Sequence, residues 1–103
     1  MRGDIHRLRS DRRAKGREQQ GARYAVVLQA SYLPLATAIV APTSTSSVGA
    51  GFWPRITLEG TATYVLVEQL MAVDLQRLGE IAGRVSPDEQ ALIDERLRDV
   101  LDL

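Results

Sequence analysis

An arginine closing a glycine-bounded segment, and a run of five hydroxyl side chains, are the two places in this sequence where chemistry could reside. The segment Gly16-Arg-Glu-Gln-Gln-Gly21-Ala-Arg23 ends directly before an apolar run, Tyr24-Ala-Val-Val-Leu-Gln29. An arginine at the entrance of a strand has a fixed backbone, so its guanidinium can be held in place, as a phosphate clamp requires. Thr43-Ser-Thr-Ser-Ser47 opens at the end of a second apolar run, Ala36–Ala41. A planar cation and several hydroxyls together suit gripping a phosphodiester oxygen, with no metal required. Other chemistry is scarce. There is no cysteine, hence no thiolate nucleophile, thiolate zinc site or disulfide framework. With one histidine, His6, a metal centre would have to be almost all carboxylate, and no acidic cluster with ligand spacing is visible. We expect no metal and no cofactor. His6 could serve in acid–base chemistry, but it alternates with Ile5 in a strand-like stretch and reads as a surface or interface residue.

The chain has 103 residues and a formal net charge of zero, with 45% apolar and 25% charged residues, which fits one globular domain spanning 1–103. The zero hides an asymmetry. Residues 1–23 hold eight basic side chains (Arg2, Arg7, Arg9, Arg12, Arg13, Lys15, Arg17, Arg23) against Asp4, Asp11 and Glu18; the remainder holds five basic against ten acidic. The basic end can meet a polyanion although the whole chain is neutral. A transit peptide would be poor in acids, which this stretch is not. Tyr24 to Pro54 lacks any charge, yet its apolar pieces fall far short of the roughly 20 residues that a membrane helix needs. We expect a soluble cytoplasmic chain with no membrane partner.

The elements that must hold these groups can be read from local pattern. Residues 24–29 and 36–41 are short apolar runs with β-branched residues, bounded by Pro34 and Pro42, and read as buried strands. Arg55–Glu59 alternates with period two, as a half-buried strand does. Thr63–Gln69 is the most β-prone stretch, Asp4–Leu8 a weaker first strand and Gly79–Val85 a last one. Ser86-Pro-Asp-Glu89 then sets Ser at an N-cap, Pro at the first helical position and Glu three residues after the cap. Leu92, Ile93, Leu97, Val100 and Leu101 follow at helical spacing, predicting a helix over about 87–101, with Asp94 and Arg98 placed to pair. Residues 9–22, 42–54 and a turn around Asp74–Arg77 are left as loops. The fold class is α+β, mainly β: a small twisted antiparallel sheet or barrel capped by a C-terminal helix.

Five stretches, in order along nearly the whole chain, resemble the MazF/PemK family of toxins from type II toxin–antitoxin pairs. Arg2-Gly-Asp-Ile5 resembles its first strand, and residues 16–23 its Gly-x-Glu-Gln-x-Gly-x-Arg signature. Ala38–Thr45 resembles the strand that ends in a Thr/Ser catalytic loop. Val65–Asp74 with Gln76-Arg-Leu78 resembles the late strand and turn, and Gly83-Arg-Val-Ser86 with the capped helix resembles the end. Tyr24 stands where the family usually has Pro, Met71 where a basic residue is common, and the first strand is unusually basic. The resemblance implies an SH3-like barrel of the CcdB/PemK type that forms a homodimer, and a metal-independent endoribonuclease acting on single-stranded RNA. Such enzymes use the RNA's 2′-hydroxyl as nucleophile and leave a 2′,3′-cyclic phosphate and a 5′-hydroxyl.

By the same resemblance Arg23 stabilises the phosphorane, Ser44 bonds the scissile phosphate or the 2′-hydroxyl, with Thr43 and Thr45 as one-residue alternatives, and Glu18 orients Arg23 or accepts the proton. Arg12, Arg13, Lys15 and Arg17 would track phosphates; Gln19, Glu68 and Gln69 would contact RNA. Phe52 and Trp53 could stack on a base or pack in a dimer. A cognate acidic, partly disordered antitoxin would cover the cleft. Two other readings stay open: a non-enzymatic gyrase-binding toxin of the CcdB type, which would need neither Arg23 nor the hydroxyls, and an inactive RNA-binding module.

Overall fold

Strand β2 (Tyr24–Val27) runs through the middle of the molecule, and its position explains its composition. Ala25, Val26 and Val27 are all fully buried, so this strand is covered on both faces and has no polar alternation. The structure, a computed structural model, describes residues 1–9 and 23–103. Its other strands are β1 (Asp4–Leu8), β3 (Thr37–Ser44), β4 (Arg55–Leu58), β5 (Thr61–Val65), β6 (Met71–Asp74) and β7 (Leu78–Arg84); one helix, α1 (Pro87–Leu101), follows. Every pairing among them is antiparallel, in the order β4-β5-β3-β2-β1-β7, with β6 on β3 as well. The result is a curled antiparallel sheet with a C-terminal helix, as the sequence predicts.

Strand β3 produces the curl. One of its edges pairs with β2 through Val40–Pro42. The other is divided: Thr37–Val40 pair with β6, and Thr43 and Ser44 with β5. Alternation then builds two apolar clusters. Ile5, Val26 and Ala41 join Ile56, Leu58, Val65, Val67 and Ile93, with Leu97 and Val100 of α1 packed alongside. Leu8, Ala25, Val27, Ala38, Val40 and Val73 form the second.

The helix begins where its cap dictates. Ser86 accepts from the Glu89 amide and Glu89 from the Ser86 amide, with Pro87 at the first position. The second carboxylate oxygen of Glu89 accepts from the Thr57 amide at 2.9 Å and so ties the helix start to β4. Asp94 does not take Arg98; it pairs with Arg2 at 2.5 Å and accepts from Gln90, because Arg2 is brought over the helix by the β1 end of the sheet.

Several expectations are corrected. The strand expected over 36–41 continues through Pro42 to Ser44: Pro42 lacks only its N–H, and its carbonyl still accepts from the Leu66 amide at 2.9 Å. The strand expected over 63–69 covers 61–65 instead and gives way to a 3₁₀ turn at Val67–Gln69. Local pattern gave no separate strand for β6, which lies at the end of the Val65–Asp74 stretch that resembles the family's late strand. His6 is buried rather than at the surface; its Nδ1 donates to the Gly79 carbonyl at 2.9 Å.

Asp4 and Arg84 face each other across β1 and β7 and form an ion pair. Partial burial pushes the Asp4 carboxyl up, but the Arg84 hydrogen bond and the nearby terminal ammonium outweigh it and hold the pKa below its ordinary 3.8. A carboxylate depressed on folding contributes stability above its unfolded pKa and loses it as the pH falls through the folded value. Thermal melts taken from neutral to acid pH should therefore show a declining midpoint below about pH 4, and Asp4→Asn should flatten part of that decline.

Candidate functional site

The β2–β3 register decides which side chains meet. Ala25 lies opposite Pro42 and Val26 opposite Ala41; just beyond these pairs Tyr24 meets Thr43, and Arg23 and Ser44 line the same groove. The Thr43 hydroxyl donates to the Tyr24 carbonyl at 3.1 Å. The Arg23 carbonyl accepts from the Leu8 amide at 2.8 Å, which pins the arginine backbone to β1 while its side chain stays exposed. Ser44 is pinned on its other side by pairing with Tyr64 of β5.

These groups open onto one groove of about 670 Å³. Its polar lining comes from Arg23, Thr43, Ser44, Thr45, Glu59, Thr61, Thr63 and Gln69, with Tyr24, Pro42, Leu58 and Leu66 also lining it. Among the described lining residues Arg23 is the one cation and Glu59 the one acid. The three candidate hydroxyls are not equivalent. Thr43 has its proton engaged by Tyr24. Ser44 Oγ accepts from the Ser46 amide at 3.0 Å, which leaves its own proton to give. Thr45 is exposed beyond the strand end. A guanidinium sharing a groove with a hydroxyl that can still donate is a fitting pair for a phosphodiester.

The segment after Ser44 is anchored at two points. Trp53 Nε1 donates to Glu68 at 2.9 Å, and Gln69 donates to the other Glu68 oxygen at 3.3 Å. Arg96 of α1 donates to the Phe52 carbonyl at 2.8 Å and holds its guanidinium 5.5 Å from the Phe52 ring centroid. Glu68 is thus occupied with Trp53 and lies outside the groove lining, whereas Gln69 is part of it. Trp53 is half-buried, whereas Phe52 is exposed. Glu18, Arg12, Arg13, Lys15, Arg17 and Gln19 lie outside the described residues. Glu59 is a groove residue that the sequence reading passed over; the Glu59-Gly60 turn signal was visible, but not where its side chain would lie.

Among the described residues no group of three or more His, Cys, Asp and Glu side chains could hold a metal ion. None of the described helices is long and apolar enough to cross a membrane.

Similarity to known proteins follows the same outline. The chain is 32% identical over 104 residues to "Putative toxin Rv3098A/RVBD_3098A" of Mycobacterium tuberculosis (strain ATCC 25618 / H37Rv), covering 100% of this chain and 98% of that one. An endoribonuclease solved in complex with its cognate antitoxin from a mycobacterial species superimposes with a TM-score of 0.81 at 18% identity, over 100% of this chain and 95% of that one. The Mycobacterium tuberculosis toxin MazF-mt6 gives 0.78 at 18% identity, with 97% of each chain covered. A MazE–MazF crystal structure from Deinococcus radiodurans gives 0.78 at 24%, over 99% and 95%. At such identities these structures establish the fold. The family model for the PemK-like, MazF-like toxin of type II toxin–antitoxin systems matches residues 1–101, and it is to this toxin family that the chain belongs.

Proposed function

We propose that the chain is a metal-independent endoribonuclease toxin that cuts single-stranded RNA by transesterification. The observation that carries this reading is the meeting of Arg23 and Ser44 on one groove at the end of the β2–β3 pair. In the reaction the 2′-oxygen forms a bond to phosphorus, the phosphorus–O5′ bond breaks, the 2′ proton passes to a base and the 5′ oxygen receives a proton. Arg23 supplies charge and a fork of donors to the crowded phosphorane and a proton toward the leaving oxygen. Ser44 hydrogen-bonds the phosphate or the 2′-hydroxyl. Glu18, in the Gly16–Arg23 segment, orients Arg23 or accepts the 2′ proton. No step needs a protein nucleophile.

The named relatives support the partners. Structures of the same fold are described as an endoribonuclease with its cognate antitoxin and as a MazE–MazF complex. We extend this to the present chain as a homodimer in the cytoplasm, restrained by an acidic antitoxin that competes for the basic cleft.

Incubating the purified protein with a long single-stranded RNA in EDTA tests the reading. The expected products are fragments with 5′-hydroxyl and 2′,3′-cyclic phosphate ends. Binding without cleavage would identify an inactive RNA-binding module, and gyrase inhibition without either would identify the CcdB type.

A further inference from the structure

The β4–β5 hairpin turns through two residues, Glu59 and Gly60, closed by the Leu58–Thr61 pair. Both have positive φ, 51° and 79°, the signature of a type I′ turn. Glycine suits its place. Glutamate does not: the first position of such a turn favours Asn, Asp or Gly, and a longer side chain is strained there. No polar contact of its own offsets that strain, since among the described residues the exposed Glu59 carboxylate enters none of the ion pairs or side-chain hydrogen bonds. It does line the groove that holds Arg23 and Ser44.

A negative charge weakens a groove's hold on phosphate, so backbone binding does not account for Glu59. A carboxylate binds donors, and it presents two parallel acceptor oxygens. In single-stranded RNA the Watson–Crick edges are free to be read. Of the four bases, guanine alone offers two different N–H groups side by side on that edge, at N1 and N2, spaced for a carboxylate. Cytosine and adenine offer an amino group next to an acceptor nitrogen that would repel the second oxygen, and uracil a single N–H between two carbonyls.

We propose that Glu59 is a specificity-determining residue that accepts two hydrogen bonds from a guanine flanking the scissile phosphate. This rests on the ribonuclease reading above.

The test begins by mapping wild-type cut sites on a long RNA, then compares oligonucleotides carrying guanine or inosine, which lacks the N2 amino group, at each flanking position. At one position inosine should lower wild-type kcat/KM about ten-fold. In Glu59→Gln, which keeps the shape but turns one acceptor into a donor, the guanine and inosine substrates should differ by less than about two-fold. Glu59→Asn serves as a second variant: Asn suits the turn, so its melting temperature should equal or exceed wild type while the same preference is lost. A wild type that cuts RNA without preferring guanine at any flanking position, or variants that keep the full guanine–inosine ratio, would overturn this proposal and leave the ribonuclease reading standing. A wild type that cuts no RNA would remove both.

Discussion

Replacing Arg23 with alanine should lower the single-turnover cleavage rate on RNA by about 100- to 1000-fold, the usual cost of removing one preorganised donor from a developing negative charge. The loss should fall on the chemical step. On the proposed reading Arg23 would be one phosphate contact among several from the basic amino-terminal stretch, so RNA affinity should drop modestly and the log–log salt slope should shrink by roughly 0.7. Stability is not at issue. The Leu8 amide bonds the Arg23 backbone carbonyl, which alanine retains, and the side chain is exposed. The variant should therefore melt as wild type does. Arg23→Lys keeps the charge without the planar fork and should fall between the two. A variant that cleaves at the wild-type rate while lacking this guanidinium would remove Arg23 from the mechanism.

Ser44→Ala should cost about 100-fold in the same assay, and Thr43→Val much less, although the two hydroxyls are neighbours. Their hydrogen bonds separate them. Thr43 gives its proton to Tyr24, so its loss is a structural loss of about 1 kcal/mol, read as a lower melting temperature. Ser44 accepts from the Ser46 amide and keeps its proton for a ligand. Because Ser44→Ala removes that acceptor too, the Ser46 turn should be checked by comparing melting curves; the cleavage defect should exceed any change in stability. If Thr43→Val proves the more damaging to catalysis, the hydroxyl assignment shifts by one residue along β3.

Residues whose partners lie nearby in sequence were legible without a structure. The helix start at Pro87 was set by Ser86, Pro87 and Glu89, which act within one turn, and its extent to Leu101 by apolar spacing along the same segment. The runs 4–8, 24–29, 36–41 and 55–59 were recognisable as strand-bearing from β-branched content and alternation, although the second strand ends at Val27. An arginine before one strand and alcohols after another were singled out from residue types alone, and the two line one groove. The resemblance to MazF/PemK toxins named the family that the match over residues 1–101 establishes.

What escaped depends on distant partners. Met71–Asp74 carries a weak strand pattern of its own and becomes β6 because Val73 and Ala72 find Ala38 and Ile39 across the edge of β3. Pro42 read as a boundary, yet tertiary pairing needs only its carbonyl. Glu68 had no visible partner in the sequence; the fold brings Trp53, fifteen residues earlier in the chain, to one of its oxygens. Glu59 reaches the groove only through the turn that the β4–β5 pairing closes. Sequence set the kinds of groups this protein carries and the short segments that bear them, because propensity, capping and alternation are local forces. Only the curl of β3 decided that Arg23, Ser44 and Glu59 share a groove, because strand register and the choice among competing partners are properties of the folded whole.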